Sequence, residues 1–78
     1  MQDFAIRIKD MDTVKRFVTE MGRIDCDMDL IAKNRRYVVD AKSIMGILSL
    51  DLTGELTLRA YTDDPEVIGS IKSSLGRF

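Results

Sequence analysis

The chain contains no histidine and no tryptophan, and only one cysteine and one proline. Without histidine, imidazole acid/base chemistry, phosphohistidine intermediates and most zinc sites are excluded. A lone cysteine, Cys26, closes no internal disulfide, so nothing points to an oxidising compartment. The net charge is only −1, which gives no general attraction to nucleic acid or to an anionic membrane. No apolar run approaches the ~18–20 residues that span a bilayer. The opening Met1-Gln2-Asp3-Phe4 also lacks the basic region and apolar stretch of a signal peptide. The cytoplasm is the expected location.

What is present is ordinary globular material: 78 residues, 45% hydrophobic and 32% charged. That length suits one small domain over residues 1–78, with no linker, low-complexity tract or internal repeat. A chain so short buries only about 60–65% of its unfolded surface. A two-layer core is expected rather than a deep enzyme cleft.

Hydrophobic periodicity assigns the elements. Phe4, Ile6 and Ile8 alternate with Ala5 and Arg7, a first strand. Asp10-Met11-Asp12-Thr13 supplies capping groups and acid for a helix start, and Val14, Phe17, Val18 and Met21 recur on one helical face up to Gly22. Ile24, Cys26, Met28 and Leu30 alternate with Asp25, Asp27 and Asp29, which predicts a second strand with Cys26 in the core. A turn at Lys33-Asn34-Arg35 leads to a third strand at Tyr37-Val38-Val39. Ser43 is placed to cap a short helix, Ile44-Met45-Gly46-Ile47-Leu48. Leu56, Leu58 and Ala60 form a fourth strand after Thr53-Gly54. Asp64-Pro65-Glu66 then opens a last helix with Ile68, Ile71, Leu75 and Phe78 on its inner face.

The order β-α-β-β-α-β-α, with one apolar face per strand, predicts an α+β open-faced sandwich. It consists of a four-stranded antiparallel sheet with all helices on one side. The opposite face should carry Arg7, Asp25, Asp27, Asp29, Thr57 and Arg59, with opposite charges offsetting one another across strands.

Catalytic candidates are few. There is no nucleophile–base pair, no phosphate loop and no metal cluster, so no enzyme activity, catalytic residue, metal or cofactor is expected. Asp25, Asp27 and Asp29 resemble the opening of a calcium loop, but Leu30 stands where glycine is required and Arg36 where glutamate is required. The basic clusters Lys33, Arg35, Arg36 and Lys15, Arg16 lack the interleaved aromatics of an RNA-binding sheet. Four apolar residues, Ile44, Met45, Ile47 and Leu48, cannot all point inward from one short helix, so some apolar area must face outward.

The run Ala41-Lys42-Ser43-Ile44-Met45-Gly46-Ile47-Leu48-Ser49-Leu50 resembles the regulatory-serine segment of HPr, the phosphocarrier of the bacterial sugar phosphotransferase system. The element order resembles that family's open-faced sandwich as well. The resemblance implies a phosphoryl-accepting histidine followed by Ala-Arg-Pro between the first strand and first helix. Here the connection is a shorter Lys9-Asp10-Met11-Asp12-Thr13, with Asp10 near the missing histidine. Relay from phosphoenolpyruvate through a phosphoimidazole is therefore excluded.

The family's second site is a serine phosphorylated by a dedicated ATP-dependent kinase, and Ser43 matches it residue for residue. The resemblance further implies a docking patch at Ile44, Met45 and Leu48, with Ile47 turned into the core. The catabolite-repression HPr-like protein has the same logic, histidine lost and serine kept. The expected function is a regulatory protein-interaction module in carbohydrate regulation, switched by phosphorylation of Ser43. Its partners would be an HPr kinase and a transcription regulator or phosphotransferase-system protein, with neither nucleic acid nor membrane. Two alternatives remain at this point: a small-molecule sensor of the ACT type, which shares the β-α-β-β-α-β order, and a degenerate HPr-like relic.

Overall fold

A computed structural model describes residues 1–32 and 36–78. The Lys33-Asn34-Arg35 turn, and with it two members of the basic cluster, lies outside the described residues. The elements are β1 (Gln2–Ile6), α1 (Met11–Gly22), β2 (Met28–Ala32), β3 (Tyr37–Asp40), α2 (Ile44–Leu48), β4 (Leu56–Ala60) and α3 (Pro65–Leu75). The strands form one four-stranded sheet in the order β1-β4-β2-β3. Every neighbouring pair is antiparallel: Phe4 opposes Leu58, Leu30 opposes Leu58 from the other side, and Val39 opposes Leu30. The α+β open-faced sandwich expected from the sequence is the observed fold.

Period two on the central strands builds the core. Met28, Leu30 and Ala32 of β2 and Leu56, Leu58 and Ala60 of β4 are buried together with Val14, Phe17 and Met21 of α1, Ile47 of α2 and Ile71 of α3. Ile8 lies beyond the end of β1 yet is buried in the same cluster. Among the described residues no helix is long and apolar enough to cross a membrane.

The second strand starts at Met28 and not at Ile24. After Gly22 the chain keeps turning: Arg23 N–H donates to Glu20 C=O, Ile24 N–H to Met21 C=O, and Cys26 N–H to Ile24 C=O. The Lys42 ammonium also donates to Ile24 C=O at 2.6 Å and pins this turn. Alternation persists in the sequence because Ile24 and Cys26 still pack against the core, half-buried, from a non-strand segment. Asp25 and Asp27 therefore belong to that connection, and only Asp29 stands on the sheet.

The open face is organised by a residue the sequence pattern did not single out. Asp3 on β1 receives Arg59 Nε at 2.8 Å and Nη2 at 3.0 Å, a two-pronged pair across the β1–β4 register. This hydrogen-bonded carboxylate holds the guanidinium pKa above its usual value. Asp29, opposite Arg59 on the other side, accepts from the Tyr61 hydroxyl at 2.7 Å. Arg7 lies past the end of β1 and outside the ladder. The face is not wholly polar, because Ile31 is buried there between Thr57 of β4 and Val38 of β3.

The inner face of α3 is rotated from the expected one. Val67, Ile71 and Leu75 pack on the core and Ser74 is buried, whereas Ile68 is half-buried outside the cluster. Phe78 remains partly exposed, its ring edge-on to Phe17 at 6.1 Å under the Arg16 guanidinium. Pro65 opens the helix at its first turn, and it is Val67 rather than Ile68 that packs on the core.

Candidate functional site

The Ser43 helix is built by its flanks. Asp40 at the end of β3 turns the chain: its carboxylate accepts Lys42 N–H at 2.9 Å and its carbonyl accepts Ser43 N–H at 3.0 Å. Ser43 is extended, with φ −106° and ψ 110°, and its Oγ accepts Gly46 N–H at 3.1 Å. That satisfies one of the orphan donors at a helix start. Ile47 N–H closes the first turn on Ser43 C=O, and Ser49 Oγ donates back to Gly46 C=O at 2.6 Å.

The helix is five residues long and splits its apolar side chains between two environments. Ile47 is fully buried, whereas Met45 is 81% exposed, Leu48 43% and Ile44 37%. Gly46 lies against β3, where an added β-carbon would come within 3.3 Å of Val39 Cβ. With Gly46 against the strand, Ile47 is inward and Ile44, Met45 and Leu48 are outward around the half-buried Ser43. The structure thus gathers Ser43, Ile44, Met45 and Leu48 on one small helix.

Asp10, in the connection between β1 and α1, has a structural occupation. It caps α1, its Oδ1 accepting both Thr13 N–H and Thr13 Oγ–H at 2.8 Å. Those bonds hold its carboxyl below the usual aspartate range. A carboxylate so engaged caps the helix. Beside this connection lies a cavity of about 340 Å³ with Ile6, Ile8, Phe17, Leu75 and Phe78 in its wall and Arg7 and Lys9 at its edge. Among the described residues no group of carboxylates or thiols is arranged to hold a metal ion.

Two features escaped sequence reasoning. The Asp3–Arg59 and Asp29–Tyr61 contacts depend on strand order, which periodicity does not reveal. Tyr37 and Val38 are both more than half exposed because β3 is an edge strand. Their β-propensity was visible; their position in the sheet was not.

Comparison with known proteins bears on both segments. The family model described as "PTS HPr component phosphorylation site" matches residues 11–72. Among solved structures, HPr-C-His from Thermoanaerobacter tengcongensis superposes with a TM-score of 0.75 at 26% identity, over 97% of this chain and 92% of that one. The phosphocarrier protein HPr from Bacillus anthracis gives 0.71 at 23% identity, over 96% and 93%, and shares the fold. The histidine-containing phosphocarrier protein of Mycoplasma gives 0.68 at 21%, over 94% and 90%. A search of curated proteins returned no match.

Proposed function

The chain belongs to the HPr family of the phosphotransferase system, and on that premise we propose a regulatory member without histidine phosphocarrier activity, modulated by phosphorylation at Ser43. The observation that carries this reading is the absence of histidine from a chain whose serine-bearing helix is complete. HPr proteins are phosphocarriers rather than enzymes of the ordinary kind, and their work is done by docking to other proteins of the system.

In the proposed switch, Ser43 Oγ attacks the γ-phosphorus of ATP held by an HPr kinase. The bond to ADP breaks and the hydroxyl proton passes to a base of the kinase. The phosphate adds charge beside Ile44, Met45 and Leu48 without requiring the helix to move. A partner with an arginine pocket would gain charge-assisted hydrogen bonds, and one that accepts only the apolar patch would lose affinity. That partner would be a transcription regulator or a phosphotransferase-system protein.

Family membership removes the support for an ACT-type ligand sensor, which shared only the element order. The test is a paired phosphorylation assay read by intact mass and site mapping. One tube holds ATP and an HPr kinase, the other enzyme I and phosphoenolpyruvate. One phosphate added only in the kinase tube, at Ser43, is the expected result. No mass change in either tube would overturn the regulatory reading in favour of a relic whose serine is only a cap.

A further inference from the structure

Among the described residues, β3 is hydrogen-bonded to β2 alone and its other edge has no strand partner. The direction of its backbone groups follows from one bond. Ala41 N–H donates to Met28 C=O at 3.0 Å, so residue 41 turns toward β2. In an antiparallel ladder alternate residues face the same neighbour. Val39 and Tyr37 therefore face β2, and the N–H groups of Val38 and Asp40 and the carbonyl of Val38 point away from the sheet. Natural edge strands are blunted by proline, lysine or inward charge. Here the edge strand carries Tyr37 at 56% exposure and Val38 at 53%. The other edge, β1, exposes Gln2, Asp3 and Ala5 instead.

The charges flanking this edge select its occupant. Arg36, exposed, precedes the strand, and Asp40, exposed, ends it, each two residues from Val38. We propose that β3 pairs antiparallel with β3 of a second copy of this chain, about a two-fold axis through Val38, to give a continuous sheet across a weak homodimer. In that register the two Val38 residues exchange reciprocal N–H to C=O bonds, and Asp40 N–H of each copy reaches Arg36 C=O of the other. Tyr37 of one copy opposes Val39 of the other, so apolar meets apolar. Arg36 opposes Asp40 of the second copy twice over, once on each side of the axis. With the alternation of β3 continued one residue back to Arg36, both pairs fall on the open face with Val38, where opposite charges directly across an antiparallel pair attract. A two-fold contact requires such a self-complementary patch. An unrelated extended peptide would have to bring its own acid and base at this spacing.

Sedimentation equilibrium up to about 1 mM protein tests the pairing. The expected result is a reversible monomer–dimer equilibrium, with the amide signals of Val38 and Asp40 shifting on dilution. Val38→Pro removes an N–H that lies off the β2 ladder, a position where an edge strand tolerates proline. Its fold, checked by circular dichroism, should survive while Kd rises at least ~10-fold. Arg36→Asp and Asp40→Arg should each weaken self-association, because like charges then face one another on both sides of the axis. The fold of Asp40→Arg is checked in the same way, since the Asp40 carboxylate also accepts Lys42 N–H. An equimolar mixture of those two variants should dimerise again, since both cross-axis pairs are opposite in the mixed dimer. A chain monomeric at every concentration, a dimer indifferent to Val38→Pro, or a mixture no tighter than its components would each overturn the proposal.

Discussion

Gly46 and Val39 are in such close approach that a β-carbon on residue 46 would sit 3.3 Å from Val39 Cβ and 3.2 Å from Ser43 Oγ. Neither neighbour is free to yield. Val39 Cβ is fixed to the strand backbone, and Ser43 Oγ is the helix cap. Gly46→Ala gains about 1 kcal/mol of helix propensity but incurs overpacking of about 1–3 kcal/mol. The expected outcome is a lower Tm, with a net loss of about 1 kcal/mol in denaturant melts.

Ser43→Ala removes the acceptor for Gly46 N–H. A loss of about 1 kcal/mol is expected, which lowers Tm by roughly 4–8 °C in a domain of this size. Ser43→Asp keeps an acceptor at the cap and should recover most of that loss. Under the proposed function, both variants abolish modification by the kinase. Thermal melts separate the capping role and mass spectrometry the regulatory one.

Ile47 and Met45 should divide stability from recognition. Ile47 is fully buried, so Ile47→Ala is expected to cost about 2–5 kcal/mol. Met45→Ala exposes nothing new and should stay within about 0.5 kcal/mol of the parent. If the patch docks a partner as proposed, Met45→Ala weakens binding at unchanged Tm, measured by calorimetric titration against that partner.

Ser74 Oγ is buried on α3 without a hydrogen-bond partner among the described residues. Its desolvation is uncompensated, and serine is a poorer helix former than alanine. Ser74→Ala should therefore raise stability by about 0.5–1 kcal/mol. A fall in Tm would show that the hydroxyl has a partner after all, and high-resolution crystallography would locate it.

Acid should act through Asp10. Its carboxyl is held below the ordinary value of 3.8 by the two bonds from Thr13. The stability this gives is complete above the unfolded carboxyl's pKa and is lost as pH falls through the lower, folded value. Asp10→Asn keeps a capping oxygen but no titrating charge. It should flatten the part of the acid limb due to this site when Tm is followed from about pH 6 to pH 2.

Sequence alone carried the element order, the inward set on the central strands and the Ser43 cap, because period two, period 3.6 and capping chemistry are local. Local signals also misled. Ile24 and Cys26 alternate like strand residues because packing against a core demands apolar side chains whatever the backbone does. Ile68 was expected on the inner face of α3 where Val67 packs instead, because a helical wheel does not reveal which ridge meets the sheet.

The absence of histidine and the resemblance of the Ala41–Leu50 segment to HPr were legible in the sequence, since a residue count and a contiguous motif need no folding to be read. The tertiary structure alone decided that β4 lies between β1 and β2, which brings Asp3 to Arg59 across 56 residues of chain. It also decided that β3 is left at the edge with Val38 bare. Strand order is a property of how non-local segments close around one core, and no window of neighbouring residues contains it.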